Sequence, residues 1–289
     1  MAAKSRILIV GGTGYIGKFI VEANAKAGHE TYALVRDSAL SDRAKSLIVH
    51  SFKSIGVILV YGDLFNHESL VRAIKQVDVV ISRPLVLKQL ADQDKLIFAI
   101  KEAGLRFFPS EFGFDVENVH GVGPLISIFE TKAQLQAITP PTDKVVIKQF
   151  SIRKKILPPT ILELWMIQRT LNKVLHIKPP QNVLSINELV ALWENKIGKT
   201  LEKTYISEDQ LPKNIQEAVP PLNLLLSLDY SILVKGDHTN QEIEAPVGLK
   251  ASKLYSDVKY TSIIIHFGET STLLSSLPLL FNLFPQSRF

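Results

Sequence analysis

Arg6 to Val10 is a short apolar run that gives way at once to Gly11-Gly12-Thr13-Gly14-Tyr15-Ile16-Gly17 and then to apolar residues at helical spacing through Ala27. A run of that length bounded by glycine reads as a buried strand, and the change of period marks a helix. Strand, glycine turn and helix therefore open the chain, with Gly28-His29 as the helix stop. Thr31 to Val35 follows as a second strand ending at Arg36.

The alternation then repeats. The spacing predicts a helix over Ala39–Ser54, a strand over Val57–Val60, a turn at Gly62-Asp63 and a helix over His67–Gln76. A strand over Val77–Ser82, a helix over Leu90–Ala103 and a strand over Arg106–Pro109 complete the series. Such alternation is the mark of an α/β, doubly wound parallel sheet of the Rossmann type. Beyond Gly113 the pattern thins to a helix over Ile126–Ala137, the pair Pro140-Pro141 and a strand over Lys144–Ile147. Residues 148–168 follow no period, and order returns with a capped amphipathic helix over Ser185–Ile197, where Leu189, Leu192, Trp193 and Lys196 share helical spacing.

Composition narrows the chemistry. A chain of 289 residues that is 46% hydrophobic can bury a sizeable core. With no cysteine there are no disulfides, no thiolate catalysis and no thiolate zinc site, which suits a reducing compartment and makes the cytoplasm the default. The apolar run at the N-terminus is too short for an export signal, and the apolar stretch from Thr272 to Phe284 is too short for a membrane span and is broken by Pro278. Neither a membrane nor nucleic acid is an expected partner, since the net charge of +5 comes from scattered rather than clustered basic residues. The seven histidines show no paired ligand spacing, so no metal is expected.

Gly11, Gly14 and Gly17 stand at three-residue intervals between a strand and a helix, where a dinucleotide pyrophosphate is held. Gly11 permits the tight turn, Gly14 lets the backbone approach the phosphates, and Gly17 lets the helix pack closely. The whole turn, with Gly12, Thr13, Tyr15 and Ile16, is the expected cofactor cradle. Arg36 stands where NAD-specific chains place an acid, and a guanidinium there favours NADPH. Asp37 competes for the ribose, so the reading needs Arg36 in the site, with Arg43 or Lys45 adding charge, and of these Lys45 is the expected second cation.

The glycine turn, Leu34-Val35-Arg36-Asp37-Ser38, Asp78-Val79-Val80-Ile81-Ser82 and Arg106-Phe107-Phe108-Pro109-Ser110-Glu111-Phe112-Gly113 together resemble the isoflavone reductase-like family, atypical short-chain reductases within the NmrA-like group. The likeness resumes in Asn187-Glu188-Leu189-Val190-Ala191-Leu192-Trp193-Glu194 and in Val234-Lys235-Gly236-Asp237-His238-Thr239-Asn240, and ends near Thr261. The resemblance implies an NADPH-dependent reductase of phenylpropanoid, lignan or isoflavonoid-type phenolic substrates, and a homodimer is compatible with it. It also implies that Lys132, in Phe129-Glu130-Thr131-Lys132-Ala133, is the catalytic acid or base. Tyr255 and Lys259 match the spacing of the ordinary short-chain dehydrogenase pair but lie too near the C-terminus and flank a turn.

Against that family the chain has departures. Arg83-Pro84-Leu85 replaces small residues beside the nicotinamide, Gln136 replaces an arginine, and Leu105 replaces a short loop. About thirty residues, the size of one strand-helix unit, are missing between Ile138 and Thr142. Residues 148–168 and the tail 262–289 resemble nothing in the family. The expected organisation is thus an NADP-binding Rossmann domain over residues 1–147 and a smaller, partial C-terminal α/β substrate lobe over 148–289. Two rival readings follow: an NADP-binding regulator without turnover, and a non-functional product of a damaged or misread gene.

Overall fold

A computed structural model describes residues 4–14, 17–82, 90–109, 116, 119–139, 146–149, 174–177, 183–237, 248–254 and 256. Its first sheet has five parallel strands: β1 (Arg6–Val10), β2 (Glu30–Val35), β3 (Ile58–Tyr61), β4 (Val79–Ser82) and β5 (Arg106–Phe108). Their order is β3-β2-β1-β4-β5, so the chain reverses its direction of travel between β1 and β4. In such a sheet ligands bind beyond the carboxyl ends of the strands at that reversal.

The helices between these strands are α1 (Gly17–Lys26), α2 (Ser38–Ser41), α3 (Arg43–Ser54), α4 (His67–Ile74) and α5 (Gln93–Ala103). Right-handed crossovers put α1 and α3 on one face and α4 and α5, which pack together, on the other. Both faces are covered, which explains why β1 and β4 are apolar runs rather than alternating ones. Leu8, Ile9, Val80, Ile81, Phe107 and Phe108 are almost wholly buried, and each large apolar side chain so placed contributes about 1.5–3 kcal/mol. Leu105, after the left-handed cap Gly104, packs against this core.

The helix expected over Ala39–Ser54 is two helices. The Asp42 side chain accepts hydrogen bonds from the backbone N–H groups of Ala44 and Lys45, both at 3.0 Å, which ends α2 and caps α3. α5 starts later than expected, at Gln93 rather than Leu90.

After β5 come α6 (Leu125–Ile138), β6 (Val146–Gln149), β7 (Val174–Ile177), α7 (Ile186–Ile197), α8 (Gln210–Glu217), α9 (Leu222–Asp229) running into a π-helical turn (Tyr230–Val234), β8 (Gly248–Lys250) and α10 (Ala251–Leu254). β6 runs two residues beyond the expected Lys144–Ile147. It crosses residue 147, where the sequence places the boundary between the lobes, and Lys148 and Gln149 are strand rather than aperiodic chain. It pairs with β7 in a second parallel sheet, β6-β7-β8. The rest of 148–168, the tail 262–289 and Arg83-Pro84-Leu85 lie outside the described residues. α7 has the expected cap: Ser185 accepts from the Glu188 N–H, and Glu188 accepts from the Ser185 N–H. α8 and α9 are not expected from the sequence: α8 is amphipathic but spans little more than two turns, and α9 is largely apolar and shows no clear stripe.

Candidate functional site

The turn after β1 closes with the Gly14 N–H donating to the Gly11 carbonyl at 3.0 Å, and Gly11 has a φ of 83°. That left-handed conformation is the reason for a glycine at this position. Gly17, the first residue of α1, lies against the Gly11 carbonyl, and a β-carbon at Gly12 would meet Val21 of α1 and Ala33 of β2. Tyr15 and Ile16 lie outside the described residues. Gly11, Gly12 and Gly14 thus bring backbone close to the N-terminus of α1, where an anion is favoured by free N–H groups and the helix dipole.

A cavity of about 250 Å³ opens over this turn, lined by Gly11, Thr13 and Gly14 together with Arg36 and Lys45. Of the charged residues weighed at the end of β2, Arg36 and Lys45 face the cavity, whereas Asp37 and Arg43 are not part of its lining. Lys45 is held at the start of α3 by Asp42, whose carboxylate lies 3.6 Å from Nζ. The Lys45 N–H is the chief reason that the Asp42 carboxyl sits below its ordinary pKa. Two cations and a glycine-rich turn around one cavity have the chemistry to hold a dinucleotide bearing an extra phosphate.

Further wall residues carry no glycine-motif signal. Gly62, Asp63, Leu64 and Phe65 follow β3, Ser82 ends β4, and Asp92 and Gln93 begin α5. The Ser82 hydroxyl donates to Gln93 Oε1 at 3.0 Å, and both side chains are buried. All of them lie at or beyond the carboxyl ends of strands, Ser82 at the reversal itself and Gly62 to Phe65 after the edge strand β3.

Lys132 lies midway along α6, half-buried and outside the lining of this cavity. It comes three residues after buried Phe129, so the two share a helix face, and Phe129 packs with Val116 and Leu125 against Leu224 and Leu228 of α9. Gln136, one turn on, is also half-buried. The loop before α6 is tied down by Asp237, whose side chain is fully buried. Asp237 accepts from the His120 N–H at 2.9 Å, from His120 Nδ1 at 2.8 Å and from the Ser231 hydroxyl. Burial pushes that carboxyl up, but the hydrogen bonds from Ser231 and His120 outweigh it and hold the group below its usual range. Among the described residues no group of His, Asp or Glu is placed to hold a metal, and no helix is long and apolar enough to cross a membrane.

The sequence profile of the NmrA-like family matches residues 3–139 and 134–264. A phenylcoumaran benzylic ether reductase of Pyrus communis is 52% identical over 301 residues, with 91% of this chain and 97% of that protein covered. The crystal structure of isoflavone reductase superposes with a TM-score of 0.83 at 38% identity, covering 92% of this chain and 99% of its own. The structure of AtPrR2 with NADP+ and (+)-pinoresinol superposes with a TM-score of 0.82 at 32% identity, covering 92% and 99%.

Proposed function

This chain belongs to the NmrA-like family, and on that footing we propose that it is an NADPH-dependent reductase of phenylpropanoid, lignan or isoflavonoid-type small molecules. The observation that carries this is the single cavity joining the Gly11–Gly14 turn to Arg36 and Lys45. Gly11, Gly12, Thr13, Gly14, Tyr15, Ile16 and Gly17 cradle the pyrophosphate, and Arg36 and Lys45 grip the 2′-phosphate that distinguishes NADPH from NADH. NADPH, when bound, supplies the hydride. The chain's own part is to orient the cofactor and substrate and to move a proton, which we assign to Lys132 Nζ on α6.

The pyrophosphate cradle needs close backbone approach, and the glycines at 11 and 14 in the cavity wall support it. The phosphate clamp needs cations at the cavity, and Arg36 and Lys45 in its wall support it. The substrate lobe is a shortened one in this reading. An alignment of 301 residues to the Pyrus communis relative covers only 91% of a 289-residue chain, so that relative has residues with no counterpart here. We accordingly expect turnover below that of the relative, in a cytosolic setting that a chain without cysteine suits.

Titration of the full-length chain with NADPH and NADH in a calorimeter, beside turnover of phenylpropanoid and isoflavonoid substrates by the parent and Lys132→Ala, tests the reading. NADPH binding preferred over NADH with turnover that needs Lys132 is the expected result. Binding without turnover would overturn it in favour of a nucleotide-binding regulator.

A further inference from the structure

Phe65 is a large aromatic side chain left 67% exposed, and it stands in the wall of the cofactor cavity. An exposed ring standing singly is ordinary on a protein surface, but this one lines the cavity over the glycine turn. The ring is also held in place. Lys95 Nζ sits over it, 4.9 Å from the centroid, and is itself pinned by the Asp92 carboxylate at 2.6 Å. From below, Asp63 Oδ1 accepts the Phe65 N–H at 3.0 Å and fixes the loop that carries it. An exposed ring fixed by a cation and by its own backbone is pre-organised to receive a flat ligand, because little freedom is lost on binding.

What flat group arrives there follows from the charges. Arg36 and Lys45 mark the 2′-phosphate end of the cavity, and the ribose that bears this phosphate also bears the purine. β3 lies beyond β2, on the side of the sheet away from β4, so the loop after β3 is the wall nearest that end. Leu34, Leu64 and Leu96 complete an apolar surround, in which Phe65 is the aromatic ring among the lining residues. Asp92 places a carboxylate in a cavity meant for phosphates, and the Lys95 bridge offsets it.

We propose that Phe65, held by the Lys95–Asp92 bridge, is the stacking platform for the purine ring of the dinucleotide and a determinant of this chain's cofactor affinity. The proposal rests on the reductase reading only in taking the dinucleotide as the cavity's ligand.

The test uses the full chain and two probes, NADPH and adenosine 2′,5′-bisphosphate, the latter carrying the purine and the 2′-phosphate but no nicotinamide. Phe65→Ala is expected to weaken both by about tenfold, as loss of one base–aromatic stack does. Phe65→Trp is expected to bind both at least as well as the parent, with indole emission quenched by the bisphosphate beyond any change seen in the parent. Unchanged affinity in Phe65→Ala for a chain that binds NADPH would overturn the platform and leave the reductase reading standing. So would bisphosphate binding to Phe65→Trp without added quenching. Failure of the parent to bind either probe would instead overturn the reductase reading of the cavity, and the platform with it.

Discussion

The α-carbon of Gly17 faces the carbonyl oxygen of Gly11 so closely that no β-carbon fits between them. Any side chain at position 17 must therefore displace either the first turn of α1 or the glycine turn itself. Because the obstacle is backbone rather than a movable side-chain end, Gly17→Ala is expected to cost about 1–3 kcal/mol of stability. It should also weaken NADPH binding more than stability alone explains, since the displaced turn lines the cavity. Urea melts and calorimetry on the same variant separate the two effects, and NADPH affinity equal to the parent's would refute the cradle.

Arg36 is expected to discriminate between cofactors rather than to support binding in general. Arg36→Gln should weaken NADPH by about tenfold to a hundredfold, the loss of a charged hydrogen bond of about 1.5–3 kcal/mol, with NADH little changed. Equal losses for both cofactors would show that the guanidinium holds the turn and not the 2′-phosphate.

Asp237 and His120, 117 residues apart, join the loop before α6 to the end of the π-helical turn. Asp237→Asn leaves the donors of His120 and Ser231 with a poorer acceptor, and should lower stability by about 1–3 kcal/mol. The Asp237 carboxyl is held below its ordinary value, so its contribution is present above that value and fades as pH falls through the depressed one. Thermal melts should show the parent and variant converging on acidification below about pH 4. A constant gap across that range would place the effect elsewhere.

Asp229 predicts the opposite sign. Burial pushes its carboxyl up to about 6, against an ordinary value of 3.8. A raised carboxyl favours the fold below its ordinary value, and that benefit is lost as pH rises through about 6. Asp229→Asn should thus be more stable than the parent at about pH 8, by on the order of 1 kcal/mol once solvent screening of a half-exposed group is allowed for. Denaturant melts at about pH 4 and pH 8 check it: the gain should appear only at the higher value.

Local pattern alone carried the first lobe. The runs Arg6–Val10 and Val79–Ser82 are legible as strands because a strand buried on both faces must be apolar throughout, and the glycine spacing is legible because only glycine tolerates that turn. Arg36 was legible for the same kind of reason, since its place at the end of β2 follows from chain position. Asp42 shows the limit, because whether its side chain turns back to cap Ala44 and Lys45 depends on a backbone bend that hydrophobic periodicity does not encode.

What only the tertiary structure decided is which distant residues meet. Order β3-β2-β1-β4-β5 brings Phe65, Ser82 and Asp92 to the same cavity as Gly11, and pairs β6 with β7 rather than with the first sheet. It likewise leaves Asp37 out of a wall that its neighbour Arg36 lines. Those choices rest on long-range packing and on the direction a side chain leaves its backbone, and neither is written in the order of residues along one segment. The sequence by itself determined the kind of sheet, the turn and the charge at the end of β2, since each depends on a few consecutive residues and the steric rules that bind them.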